Sequence, residues 1–162
     1  MSAQAASDAR IISQIVSGGQ TGADRAALDV AIEQGIDYGG WCPAGGWAED
    51  LPEPPGLLAV YRELTATTES EPAVRTRLNV RDSDATLIVW DGSTPSSGTR
   101  LTIETARELG RPVLVTPGEV EATLAWLTTL TGAVVLNVAG PRESACPGTY
   151  ARTAALLRDV LV

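Results

Sequence analysis

The residues whose types and spacing most clearly suggest ligand binding lie at positions 15–24, which read Ile-Val-Ser-Gly-Gly-Gln-Thr-Gly-Ala-Asp. A β-branched run stops there at a pair of glycines, and a segment with helical apolar spacing follows. Glycine lets the backbone turn with positive φ and approach a ligand closely. The free N–H groups and the positive dipole end of the following helix favour an anion. The stretch therefore predicts a phosphate-binding turn. Its candidate contact residues are Gly18, Gly19, Gln20, Thr21 and Gly22.

The common glycine motifs fit this stretch poorly. A Walker A loop needs a lysine, and the chain has none. The pattern G-x-G-x-x-G would place Ser17 where the first glycine belongs, and its acidic ribose partner would be Asp37, before the second strand. The glycines can alternatively do no more than shape a tight turn. Support must therefore come from other parts of the chain.

Two further loops of small and polar residues provide that support. Residues 91–99 follow an apolar run at 85–90 and enter a helix as the first loop does, so that two helix N-termini can face one anion. Residues 137–144, Asn-Val-Ala-Gly-Pro-Arg-Glu-Ser, follow another apolar run. The candidate contacts in the second loop are Ser97, Gly98, Thr99 and Arg100. A serine or threonine here can instead simply cap the helix.

Five other side chains are considered for ligand contact. Arg75 and Arg77 are two residues apart, so they point to different faces of a helix and one of them can reach the ligand. This helix can alternatively be a solvated face with salt bridges. Asp91 ends a predicted strand, where its carboxylate can bind a ribose or a pterin N–H group or can cap a turn. Trp41 and Trp47 can stack on a planar ring, or can be ordinary packing.

The composition of the 162 residues excludes several classes of function. There is no histidine, which removes Ser-His-Asp triads and most zinc sites, and we predict no metal bound by protein ligands. A net charge of −8 argues against nucleic-acid binding. No signal peptide and no membrane-spanning stretch are recognisable. We therefore expect a cytoplasmic protein without membrane contact, in which Cys42 and Cys146 are free thiols.

Strands and helices alternate along the chain. The strands are predicted at 11–16, 37–41, 85–90, 112–115 and 134–138, and a further strand is predicted within 57–67. The helices are predicted at 21–34, 74–83, 101–109, 119–131 and 150–162. Residues 42–55 form a long irregular loop, and residues 1–9 are expected to be frayed. This alternation predicts one α/β domain over 1–162, with a doubly wound, mostly parallel, Rossmann-like sheet of about five strands. The three loops then lie at the carboxyl edge of the sheet, where such folds bind ligands.

Several segments resemble the molybdenum carrier (Moco carrier) family. They are residues 15–25, 39–43, 75–88, 97–99 and 136–144. That family looks like a branch of the Rossmann-like superfamily that contains the Lonely Guy cytokinin phosphoribohydrolases and DNA-processing protein A. The resemblance implies a Rossmann-like fold, a homo-oligomer (dimer or tetramer) and a small phosphorylated ligand of nucleotide or pterin type. The molybdenum cofactor is the ligand that the family name suggests.

This chain differs from the phosphoribohydrolases at a position that matters for catalysis. The phosphoribohydrolases carry P-G-G-x-G-T-x-x-E, in which the glutamate performs the chemistry. Aligning Gly98 and Thr99 with the Gly-Thr of that motif puts Thr102 at the position of the glutamate, and Glu104 lies two residues further on. The resemblance therefore favours a binding protein. The alternative is a phosphoribohydrolase-like enzyme that cleaves a nucleoside monophosphate, with Asp91 or Glu104 as the catalytic carboxylate.

Overall fold

Six parallel strands form one sheet in the computed structural model, which describes residues 11–161. The strands are β1 (Ile12–Val16), β2 (Asp37–Cys42), β3 (Leu64–Ala66), β4 (Ala85–Val89), β5 (Val113–Thr116) and β6 (Val134–Ala139). Their order across the sheet is β3-β2-β1-β6-β4-β5, and every pairing is parallel. The predicted α/β class and parallel sheet are confirmed, with six strands instead of about five. The segment 1–9, predicted to be frayed, lies outside the described residues.

The helices divide into two packed groups. They are α1 (Ala23–Gln34), α2 (Leu57–Val60), α3 (Pro72–Arg81), α4 (Ser97–Glu108), α5 (Val120–Leu127) and α6 (Thr149–Val160), and a 3₁₀ turn spans Ala44–Gly46. Helix α6 packs against α1 and α5, while α3 packs against α4. Right-handed crossovers between parallel strands place these two groups on opposite faces of the sheet. No helix within residues 11–161 is long and apolar enough to cross a membrane.

The face under α1 and α6 holds the main apolar core. Ile15 of β1 and Leu136 of β6 are fully buried there, together with Leu156 and Leu157 of α6. The apolar face of the last helix, which supported the expectation of an oligomer, is thus packed inside its own chain. The prediction of a homo-oligomer then rests on the family resemblance alone.

The interface under α3 and α4 is polar instead. Its buried polar side chains are Thr76, Asn79, Thr86, Thr99, Thr102, Thr105 and Asn137. Buried polar groups are costly unless they are hydrogen-bonded. Thr102 donates to the carbonyl oxygen of Gly98 at 2.9 Å, and Thr105 donates to that of Leu101 at 2.7 Å, so the helix backbone satisfies both hydroxyls. This polar layer leads directly to the carboxyl edge of β4 and β6.

Three of the boundaries that differ from the sequence predictions have a clear local reason. Helix α4 begins at Ser97 and not at 101, because the hydroxyl of Ser96 accepts a hydrogen bond from the Thr99 N–H at 3.3 Å and caps the helix. Helix α1 begins at Ala23 because Gly22 adopts φ 84° and ψ −132°, which lie outside the helical region. Helix α5 ends at Leu127, since the chain then tightens into i→i−3 turns.

Candidate functional site

A cleft of about 520 Å³ lies at the carboxyl edge of the central strands. All three predicted loops contribute to its lining, since β1, β6 and β4 are neighbours in the sheet and end at the same edge. The lining residues are Gln20, Asp24, Glu71, Pro72, Ala73, Arg75, Thr76, Pro95, Ser96, Ser97, Gly98, Thr99, Leu101, Thr102, Ala139, Gly140, Arg142 and Ala145. Its volume lies within the range of small-molecule sites, roughly 300–1,000 Å³.

The N-terminus of α4 supplies hydrogen-bond donors to this cleft. Ser97 and Gly98 lie in the first turn of α4, so their N–H groups have no acceptor within the helix, whereas the Thr99 N–H is bound by the Ser96 hydroxyl. Ser97 and Gly98 are exposed, and a Cβ added to Gly98 would meet no atom within 4 Å. The positive end of the helix dipole points the same way as these N–H groups. This part of the cleft therefore suits an anion.

A buried ion pair lies beside it. Nη1 of Arg75 is 3.0 Å from a carboxylate oxygen of Asp24, and the two side chains are 13% and 5% exposed. Burial raises the pKa of Asp24, while the Arg75 guanidinium and the backbone N–H of Gln20 oppose that shift. Nε of Arg75 is buried and has no hydrogen-bond partner among the described residues. A Cβ on Gly18 would collide with the Arg75 guanidinium, so this glycine makes room for the arginine.

The other residues of the first loop are engaged in packing. Gly19 adopts φ 78°, and a Cβ there would lie 2.9 Å from Leu57. A Cβ on Gly22 would collide with the carbonyl oxygen of Pro141, so this glycine allows the first and third loops to approach each other. Gln20 lines the cleft, and its side-chain oxygen accepts a hydrogen bond from the Glu49 N–H at 2.9 Å.

The carboxylate of Glu49 ties the irregular loop to the other two loops. Thr21 donates its hydroxyl hydrogen to Glu49 and accepts from the Glu143 N–H at 3.1 Å. The hydroxyl of Ser144 donates to the other Glu49 oxygen at 2.7 Å. Partial burial opposes the ionised form, but these hydrogen bonds lower the pKa of Glu49 below its usual range. Thr21 thus supports the edge of the site and does not line the cleft.

Arg142 is the most informative residue that the sequence predictions missed. It lines the cleft from the third loop, and its guanidinium carbon lies over the Trp47 ring, 5.4 Å from the centroid. Trp47, predicted to stack on a ligand ring, therefore stacks on this arginine. The signal was present as the polar run at 137–144, but nothing in it distinguished the arginine from its neighbours.

Trp41 and Arg100 lie away from the cleft. The indole N–H of Trp41 donates at 2.8 Å to Asp82, which follows the C-terminal end of α3. The guanidinium of Arg100 lies over the Trp90 ring, 5.6 Å from its centroid. Neither side chain lines the cleft, although both were predicted as ligand contacts from their positions beside the loops.

The two candidate catalytic carboxylates also lie outside the cleft lining. Asp91 is exposed and accepts hydrogen bonds from the backbone N–H and the hydroxyl of Ser93, at 2.9 and 2.6 Å, which lowers its pKa. It therefore stabilises its own turn. Glu104 is exposed on α4, while Thr102 lines the cleft. The carboxylates that do line it, Asp24 and Glu71, were not predicted as contacts.

Within residues 11–161, no group of three or more cysteine, aspartate and glutamate side chains is placed to hold a metal ion. The donors that the cleft offers are N–H groups, hydroxyls and arginines. These suit the phosphate, hydroxyl and ring atoms of an organic ligand.

Comparisons with known proteins agree with this architecture. A solved structure described as "Putative molybdenum carrier protein" from Syntrophus aciditrophicus SB is 38% identical to the chain, with a TM-score of 0.84. The match covers 97% of this chain and 99% of that one. No protein among those with curated functions matches the chain. The family model described as "Circularly permutated YpsA SLOG family" matches residues 15–161. These findings confirm the resemblance drawn from the sequence, and the chain belongs to the circularly permutated YpsA SLOG family.

Proposed function

We propose that this protein binds a small phosphorylated molecule of nucleotide or pterin type in the cleft and acts as a carrier for it. The observation that carries the proposal is the cleft itself, in which the free N–H groups of the α4 N-terminus and two arginines line one space of about 520 Å³. The molybdenum cofactor, a phosphorylated pterin, is the ligand suggested by the name of the solved relative.

The charges around the cleft favour a local anion site over a general attraction. With a net charge of −8, the protein as a whole repels anions, so an anionic ligand must be held by nearby donors. Arg75 and Asp24 largely neutralise each other. The donors that remain are the N–H groups of Ser97 and Gly98 and the guanidinium of Arg142, whose ion pair with Glu49 is long, at 3.8 Å. Glu71, also in the lining, suits the N–H edge of a ring better than a phosphate.

The placement of the carboxylates supports binding over hydrolysis. Thr102 lines the cleft where the resemblance to the phosphoribohydrolases requires a glutamate, and neither Asp91 nor Glu104 lines it. A general base must come within hydrogen-bond reach of the water or the ribose. Of the two carboxylates that line the cleft, Asp24 is committed to Arg75, and Glu71 is exposed at the start of α3.

Gly98 offers a clean test of the anion site. Gly98→Asp adds a negative charge where the anion is proposed to bind, and the open space and the helix N-terminus both allow the variant to fold. We expect its affinity for GMP to fall at least about tenfold in calorimetric titrations, because like charges meet. The neutral isostere Gly98→Asn should weaken binding by less. Ala122→Asp adds the same charge to the exposed first turn of α5, outside the cleft, and should bind as the wild type does. Equal GMP affinity in Gly98→Asp and the wild type would refute the site.

A separate assay decides between carrier and hydrolase. Purified protein is incubated with AMP and GMP, and free base is measured. We expect no release. Release that disappears in Asp91→Asn or Glu104→Gln would establish the phosphoribohydrolase alternative instead.

A further inference from the structure

Two arginines among the described residues line the cleft, Arg75 and Arg142, and they differ in exposure and in their contacts with carboxylates. Arg75 is 13% exposed and makes a 3.0 Å contact with the buried carboxylate of Asp24. Arg142 keeps 40% of its side chain exposed, and its Nη1 is 3.8 Å from Glu49, which is beyond hydrogen-bond distance. Nη1 of Arg75 is therefore engaged by Asp24 and its Nε is buried, whereas Arg142 has exposed N–H donors available to a ligand.

The surroundings of Arg142 hold it at the cleft without using those donors. Its guanidinium lies over the indole of Trp47, and a guanidinium in that position keeps its in-plane N–H groups available for bidentate contact with an anion. Glu49, itself fixed by Thr21 and Ser144, supplies a nearby negative charge. The backbone carbonyl of Arg142 accepts from the N–H groups of Ala145 and Cys146, at 3.1 and 3.0 Å, so the loop is ordered at this residue.

We infer that Arg142 is the cation that contacts the anionic group of the cleft ligand, and that Trp47 positions its guanidinium for that contact. This inference rests on the proposed function, because it assigns the residue that selects a phosphorylated ligand over its unphosphorylated form. Arg75 then shapes the cleft through Asp24 and Gly18. Arg142 and Trp47 together recognise the negative charge of the ligand.

The direct test compares GMP with guanosine as probes. Arg142→Met removes the charge and keeps most of the apolar stem, and we expect it to raise the Kd for GMP about tenfold or more, the effect of losing a hydrogen bond to a charged group. The Kd for guanosine should stay at the wild-type value. Arg107→Met serves as the matched control, since Arg107 is an exposed arginine in the last turn of α4 outside the cleft lining. It should leave both affinities unchanged.

Trp47 acts through Arg142, so its effect must depend on that residue. We expect Trp47→Leu to weaken GMP binding severalfold and Trp47→Phe, which keeps an aromatic face, to restore most of the affinity. In the Arg142→Met background, Trp47→Leu should have no further effect on GMP binding. A merely structural tryptophan would weaken guanosine binding as well and would add its effect to that of Arg142→Met.

The outcomes separate this inference from the proposed function. A wild-type protein that binds GMP no more tightly than guanosine would overturn the phosphate site and the role of Arg142 together. GMP binding that is lost in Gly98→Asp but unchanged in Arg142→Met would overturn the role of Arg142 alone. Additive effects of the Trp47 and Arg142 variants would overturn the positioning role of Trp47.

Discussion

Replacing Arg75 by methionine tests whether the Asp24–Arg75 pair is a buried structural element. The pair is 3.0 Å apart and its side chains are 13% and 5% exposed, so little of either charge is in contact with bulk water. Removing one partner of such a pair leaves an uncompensated buried charge, which costs about 3–5 kcal/mol of the free energy of unfolding. The variant should therefore lose that amount in urea unfolding at pH 7, followed by tryptophan fluorescence.

Two companion variants show whether the loss comes from the charge. The double variant Asp24→Asn with Arg75→Met removes both charges and should recover to within about 2 kcal/mol of the wild type. Arg77→Met, an exposed neighbour on α3, should leave the unfolding midpoint unchanged. An Arg75→Met variant as stable as Arg77→Met, or a double variant no more stable than Arg75→Met alone, would refute the reasoning.

The cost of Arg75→Met should also depend on pH in a defined direction. Burial raises the pKa of Asp24 above 3.8 even with Arg75 present, and loss of the opposing guanidinium raises that pKa further. A carboxyl whose pKa is raised by folding contributes stability that is complete below its unfolded pKa and lost as the pH rises through its folded pKa. The penalty should therefore be greatest at pH 7 and shrink as the pH falls towards 4. A penalty that grows on acidification would contradict this account.

Three further predictions concern packing, titration and assembly. Gly22→Ala should lower the free energy of unfolding in urea by about 3 kcal/mol or more, because backbone strain and the collision with Pro141 add together. Gly35→Ala is the control, since Gly35 has φ 67° but open space around it, and this variant should lose roughly 1–2 kcal/mol. Burial and the 2.5 Å hydrogen bond to Asp29 raise the pKa of Tyr150 to about 12. Because Asp29 also accepts a 2.5 Å hydrogen bond from Tyr61, the test is made in the Tyr61→Phe background, where Asp29→Asn should move the Tyr150 pKa back towards 10 in an ultraviolet titration of the phenolate. An unmoved value would contradict the assigned bond. In the wild type the stability from that bond is present below pH 10 and is lost as the pH rises towards 12. Finally, light scattering at micromolar concentration should show a homo-oligomer, and a monomer would count against the expectation drawn from the family.

The elements most accurately predicted from the sequence are those whose residues are buried along their whole length. Residues 85–89 are buried throughout in β4, and a strand buried on both faces is nearly continuously apolar, as here, where Thr86 is its one polar side chain. The start of α4 was missed because Ser96, Ser97 and Thr99 all have side chains that can cap a helix. Only the backbone conformation of Ser96, with φ −146°, selects the true cap.

The position of the site was predictable, but most of its side-chain roles were not. The strand-end rule placed three loops at one edge, and residues from all three line the cleft. The roles of Gly19 and Gly22 could not be predicted, because a glycine that admits a ligand and one that admits a neighbouring backbone are identical in sequence. Arg142 was missed for a related reason. Its availability depends on Trp47 and Glu49, which only the fold brings beside it.

Native mass spectrometry combined with phosphorus and molybdenum analysis tests the central claim most directly. The wild type and Gly98→Asp are purified gently from the protein's own host and compared. We expect the wild type to carry a non-covalent, phosphorus-containing small molecule that is released on denaturation and is depleted in Gly98→Asp. Molybdenum in equal amount with that ligand would identify the molybdenum cofactor, and in a molybdenum-free ligand the measured mass would distinguish a nucleotide from a pterin. A wild-type protein free of any phosphorus-containing ligand, or one whose ligand Gly98→Asp retains in full, would contradict the proposed carrier function.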